Sequence, residues 1–398
     1  MRWIFCEPSD FDYPDKVEAQ ERTAHWWQAF AARKDELLAM FRRQAADGLP
    51  DWMASTLQAI HPELMWEFGP AVNCQGHRLV ITPESRRYLR PLAASILQTA
   101  PRLAGWEFYG YRLPENAEMA QYTVQARSRG RIDGVMVRPT VGKAHRIDLT
   151  FYSPHAREAN DQESLAAVFV ATETLLGEDL LDHWIGGIDV EPLPRQGLFG
   201  GKKPANLLPL ARLYETVQSV IQHIQEQLQP HPYFHSIEGQ QWAVYRKEPQ
   251  QAADYADRDD LLVGGTVNPI LAEAVSSPKF AFHSPRFSRC GERFVYLKMD
   301  GEGADMKERF QHRGEIEEAI NDALIPQSIG CHIGGATGLR YNYIDLALTD
   351  VRRGIALLRD LLGGQLSLRS WFLFHDADLC GEWVGLYPET PPPPLAFE

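Results

Sequence analysis

The succession of hydrophobic periods between Arg293 and Phe374 restricts this chain more than any other feature. RFVYLKM alternates with period two, a helical stretch DMKERFQHRGEIEEAINDAL follows a Gly/Asp turn, IGCHIGG and RYNYIDLALT return to extended patterns, DVRRGIALLRDLL is helical again, and LRSWFLF closes the run. That order is βαββαβ. It predicts a four-stranded antiparallel sheet with both helices on one face, because right-handed crossovers send both helices to the same side. Alternation places Val295, Leu297 and Met299 on one side of the first strand, with Phe294, Tyr296 and Lys298 on the other. In the third strand Ile344, Leu346 and Leu348 oppose Tyr343 and Asp345. The aliphatic sets should meet the stripes Ile316, Ile320, Leu324 and Val351, Ile355, Leu358, Leu362. Phe294, Tyr296, Tyr343 and Asp345 are left on the open face as candidate contact residues, to be covered by the first domain, by the helix of residues 206–229, or by a partner chain.

This arrangement is a ferredoxin-like sandwich, a fold that hosts enzymes, regulators and binding modules alike, so it names no activity. The chain has 398 residues, enough for two domains. Upstream, strand–strand–helix–strand occurs twice, first from LMWEFG to GWEFYGYRL and again from RIDGVMV to HWIGGIDV, after an opening strand RWIFC and an amphipathic helix from Asp15 to Arg43. The expected fold class is α+β. Residues 1–192 form an antiparallel-sheet domain of two tandem ββαβ units, the Gly/Pro-rich residues 193–205 a linker, residues 206–388 a long helix plus the sandwich, and residues 389–398 a Pro-rich tail. Leu210, Leu213, Val217, Val220, Ile221, Ile224 and Leu228 in the long helix of about residues 206–229 follow three- and four-residue steps, a stripe for docking on the second domain or for a homodimer.

Forty Lys and Arg against 53 Asp and Glu give a net charge of −13, which argues against a nucleic-acid partner. Five scattered cysteines without a Cys-x-x-Cys pair suit reduced thiols, and neither a signal peptide nor a membrane span is visible, which together suggest the cytoplasm.

Motifs of specific chemistry are missing from the sequence. Gly197 to Lys203 is one residue short of a phosphate loop and carries Lys203 where a hydroxyl belongs. The histidines and cysteines lack zinc spacing, so no metal and no cofactor is expected. A catalytic reading needs carboxylates, for which Glu67 and Glu107, each within Trp-Glu-Phe, and Asp148 are the candidates; alternation alone would turn these glutamates to water and their aromatic neighbours to the core. The preferred expectation is a soluble non-enzymatic protein-binding module, of the kind that neutralises a bacterial toxin or regulates a partner. A carboxylate-dependent hydrolase or proton-transfer enzyme, with its site in the first domain or between domains, and an oligomeric structural subunit stand as alternatives.

Overall fold

A computed structural model describes residues 2–43, 48–194, 205–276, 281–301 and 312–394. The chain begins with α1 (Tyr13–Arg43) and α2 (Leu49–Ser55), then β1 (Met65–Pro70), β2 (His77–Thr82), α3 (Arg90–Gln98) and β3 (Trp106–Tyr109). Next come α4 (Ala117–Arg127), β4 (Met136–Val141), β5 (Ile147–Ser153), α5 (Gln162–Trp184), β6 (Ile185–Pro192), β7 (Leu208–Pro209) and α6 (Leu213–Gln227). The remainder is β8 (Ala243–Arg246), β9 (Leu261–Thr266), α7 (Pro269–Val275), β10 (Arg293–Asp300), α8 (Arg313–Leu324), β11 (Gly330–Gly338), β12 (Tyr341–Leu348), α9 (Val351–Leu362), β13 (Ser370–Phe374) and β14 (Trp383–Gly385). The fold is mixed α+β.

Two compact units divide the chain, and neither is continuous. The first takes residues 1–110, 231–272 and 290–398; the second takes 111–230 and 273–289. These limits differ from the expected single boundary at 193–205, most of which, with the Gly197–Lys203 stretch, lies outside the described residues. Strand pairing is the reason: β8 and β9 hydrogen-bond into the sheet of β10–β14 and hold residues 231–272 in the first unit.

In the first unit α1 buries Trp26, Trp27, Phe30 and Leu37 against Leu79, Ile81 and Trp106 of a three-stranded sheet, β1-β2-β3. The Trp27 indole donates to the Ile96 carbonyl at 2.9 Å, which satisfies its polar edge inside the core. β1 and β2 are antiparallel, but β3 runs parallel to β2, so this sheet is mixed rather than antiparallel. A ββαβ order produces this result, since a strand that returns through a helical crossover comes back in the same direction. The second unit repeats the pattern, with β4 and β5 antiparallel and β6 parallel to β5. The two ββαβ segments therefore share a topology but belong to separate sheets in separate units. Leu213, Val217, Ile221 and Ile224 of α6 are buried in the second unit's core with Val137, Phe151 and Leu175. That stripe docks on elements of residues 111–192, not on the C-terminal sheet.

The expected opening strand at Arg2–Cys6 is irregular. Its amides from Trp3, Ile4 and Phe5 instead donate to the Glu382 carboxylate.

The large sheet has seven strands in the order β14-β13-β10-β12-β11-β9-β8, each antiparallel to its neighbours. On one face Val295, Leu297, Met299, Ile344, Leu346 and Leu348 pack against Ile316, Ile320 and Leu324 of α8 and Ile355, Leu358 and Leu362 of α9. The opposite face is closed by the chain's own residues 254–260. Tyr296, Tyr343 and Asp345 are buried there, at 4%, 0% and 5% exposure, while Phe294, at 0%, meets the Tyr233 ring at 6.0 Å. The cover comes from the segment just before β9, and not from the ββαβ segments or from α6, because Tyr255 packs among Tyr296, Tyr341 and Tyr343.

Candidate functional site

The closed face of the large sheet carries a layer of buried polar groups. Asp260, fully buried, accepts the backbone amides of Arg340 at 2.9 Å and Tyr341 at 2.7 Å and the hydroxyl of Tyr343. Gly338 is required beside it, since a Cβ there would stand 2.2 Å from an Asp260 oxygen. Arg258 reaches down to Asp345 and places its guanidinium carbon 5.1 Å from the Tyr343 ring and 5.6 Å from the Tyr296 ring. His375 stacks on Tyr296 at 4.7 Å and turns Nε2 to Asp345 at 3.4 Å. Burial works to raise the Asp345 carboxyl, but Arg258 and His375 outweigh it and hold it well below the usual range. Burial also lowers the His375 imidazole and raises the Tyr296 phenol.

Lys298 projects from β10 into the same layer with no exposed surface. Its Nζ donates to the Tyr255 carbonyl at 2.7 Å and sits 4.2 Å from the centre of the Tyr341 ring. Burial pushes its pKa down to about 8, against the pull of Asp260, Asp257 and Asp254. At one end Arg369 joins Asp254, Asp300 and the Tyr341 hydroxyl at 2.9, 2.9 and 2.7 Å. These hydrogen bonds fix the 254–260 segment to the sheet.

Of the carboxylates considered for catalysis, Glu67 and Glu107 belong to the first unit and Asp148 to the second. Glu67 lies opposite Val80 and Glu107 opposite Arg78, so both glutamates share the sheet face away from α1, with β2 between them and roughly 12 Å of backbone separation. Glu107 accepts the amides of Val72 at 2.9 Å and Asn73 at 2.7 Å and the Tyr109 hydroxyl at 2.7 Å. Those backbone amides, Val72 first, pull its pKa down to about 2, which suits an anchor of the β1–β2 turn and not a proton carrier. Asp148 belongs to the other unit, where it accepts the Gly187 amide at 2.7 Å and fills the space a Cβ on Gly142 or Gly186 would need.

Cys6, Asp10 and Asp12 bring ligand-type atoms within 4.8 Å of one another. Arg2 already pairs with Asp10 at 3.1 Å and Asp12 at 2.8 Å, and burial pushes the Cys6 thiol up to about 12. A protonated thiol beside a guanidinium is a poor cation site.

A different surface is open. β8 is the terminal strand of the large sheet, and on the helix-bearing side Trp242, Val244 and Val263 are 46%, 72% and 39% exposed. The floor beneath them is glycine: Val244 pairs with Gly265, and Gly265 with Gly335. The two glycines of β9 serve opposite faces, for a Cβ on Gly264 would lie 2.5 Å from the Tyr245 ring and one on Gly265 would lie 3.7 Å from the Trp242 ring. Trp242 also stacks on His332 at 5.1 Å. Asn321 takes the His332 amide on its oxygen and approaches Nδ1 through its nitrogen at 3.4 Å, so Nε2 carries the proton, 3.8 Å from Glu317. Burial pulls the His332 imidazole down to about 4.

No protein-family model matches this chain, and neither the curated proteins nor the solved structures contain a match.

Tyr296, Lys298, Tyr343 and Asp345 of the polar layer are legible in the sequence as one side of two strands, whereas the covering segment and the exposed β8–β9 edge are not. The signal for the segment was DYADRDD, an acidic stretch whose Tyr255, Arg258 and Asp260 complement tyrosines and Lys298 on a sheet face. The signal for the edge was the glycine pair in LLVGGT beside WAVYR. Period-two alternation identifies such residues only once the neighbouring strand is known.

Proposed function

We propose that this chain is a soluble, cytoplasmic, non-catalytic protein-binding module whose contact surface is the β8–β9 end of the large sheet. The observation that carries this reading is the exposure of Trp242, Val244 and Val263 side by side on a terminal strand pair. Apolar and aromatic groups gathered in this way at a sheet edge favour a macromolecular contact over water. Glu107 and Asp148 bind backbone amides, which supports a structural use for carboxylates that an enzyme would need free. The −13 charge supports a protein in preference to nucleic acid as partner. Among the described residues no helix is long and apolar enough to cross a membrane.

In this reading the C-terminal part is a ferredoxin-like sandwich, supported by the order β13-β10-β12-β11, and β14, β9 and β8 lengthen it. Phe294, Tyr296, Tyr343 and Asp345 then stiffen the sheet behind the contact instead of making it. A toxin-neutralising or regulatory partner is the class such a module would serve.

The test compares wild-type and Trp242→Ser/Val244→Ser proteins as baits in one native extract. The double variant should keep the wild-type melting temperature and lose at least one bound protein. Identical recoveries from the two folded baits would sink the reading.

A further inference from the structure

We propose that β8 receives an acidic, extended segment of the partner protein as an added antiparallel strand; this rests on the protein-binding reading above.

The geometry of the edge carries it. Lys247 and Leu262 extend the β8–β9 register, and the Lys247 amide donates to the Leu262 carbonyl at 2.9 Å. In an antiparallel ladder hydrogen-bonded pairs alternate with non-bonded ones, so Lys247, Tyr245 and Ala243 turn their backbone groups toward β9. Val244 and Arg246 must turn their N–H and C=O outward. Among the described residues no strand pairs with that side of β8. The outward groups are spaced two residues apart, which is the spacing an added strand needs.

A short, charged edge strand is also a common guard against indiscriminate pairing, and β8 has four residues with Arg246 exposed and Lys247 following. Two features separate this edge from a simple guard. Its helix-side surface is apolar at Trp242 and Val244, where a guard would be polar. The floor beside Val244 is Gly265, which carries no side chain to fill the space an added strand's side chains would use. An incoming strand would lay one set of side chains beside Trp242 and Val244 and bring a carboxylate to Arg246. Exposed Arg246, in line with Val244 on the same face, is the local positive charge that such a carboxylate would meet. A second copy of the chain fits less well. Four residues of edge bury far less than the roughly 1,200 Å² or more that a stable protein–protein interface requires, whereas a flexible segment binds through backbone pairing and a few side chains.

The probe is a synthetic valine–glutamate peptide, Thr-Glu-Thr-Val-Thr-Val-Thr, whose antiparallel register sets its glutamate beside Arg246 and its valines beside Val244 and Trp242, with a control peptide carrying lysine in place of the glutamate, each titrated by calorimetry into the full chain. Val244→Pro removes one outward N–H that makes no bond to β9, Arg246→Glu reverses the edge charge, and Val244→Thr retains the strand. The valine–glutamate peptide should bind wild type and Val244→Thr alike and lose about tenfold or more in affinity with the other two. Arg246→Glu should gain affinity for the lysine peptide. No binding of the acidic peptide by wild type, equal binding by folded Val244→Pro, or self-association that Val244→Pro abolishes would each overturn the proposal. If the peptide fails while Trp242→Ser/Val244→Ser still loses its native partner, strand addition falls and the binding reading stands; if neither responds, both fall.

Discussion

The Lys298 ammonium donates to the Tyr255 carbonyl at 2.7 Å and so joins the second face of the large sheet to the segment that covers it. The bond is made by a side chain with no solvent contact, and burial holds its pKa near 8 instead of the ordinary 10.5. Below about pH 8 the native state carries the full cost of a buried charge.

A pH dependence follows from that shift. Between about pH 8 and 10.5 the unfolded chain binds the lysine proton more strongly than the native one, so this group's contribution to stability rises with pH across the window. Urea unfolding of wild type and Lys298→Met should show the difference between them moving in favour of wild type over that range, by an amount on the order of 3 kcal/mol. Tyrosines that titrate in both proteins cancel in the comparison. A difference that stays flat from pH 7 to 11 would show that Lys298 is not desolvated as described.

The Arg258–Asp345 pair should behave as a unit. Side-chain exposures of 10% and 7% mean that removal of one partner leaves the other charged and enclosed. Asp345→Asn is expected to cost about 3–5 kcal/mol in chemical denaturation, and Arg258→Met a similar amount, with Arg258→Met/Asp345→Leu costing less than the sum of the singles. Single variants that each cost under about 1 kcal/mol would mean that the pair is open to water.

Glu382 is the anchor of the N-terminal segment. It is 2% exposed and takes the amides of Ile4 at 3.0 Å and Phe5 at 2.8 Å as well as that of Trp3. With Glu382→Ala these three amides should exchange hydrogen much faster, while amides of β10 and β12 keep most of their protection, and global stability should fall by about 1–3 kcal/mol. Unchanged exchange at Trp3, Ile4 and Phe5 would remove the anchor role.

What the sequence determined by itself was local: the period-two set Val295, Leu297 and Met299, the helical stripes of α8 and α9 that meet it, and the repeated ββαβ order. Alternation and helical spacing depend on neighbours within a few residues, and the helical crossovers inside the two ββαβ segments bring their strands back parallel to the strand they left. The tertiary structure decided what those elements face. The face of Tyr296, Tyr343 and Asp345 reads in sequence as one to be covered by the first domain, the helix of 206–229 or a partner, because the segment that does cover it, Asp254 to Asp260, is polar and irregular, and its complementarity to Lys298 and the tyrosines exists only when the chain folds back on the sheet. Trp242 and Val244 became an exposed edge for a related reason: strand order in a sheet is set by pairing between distant residues, and no local period records which strand comes last.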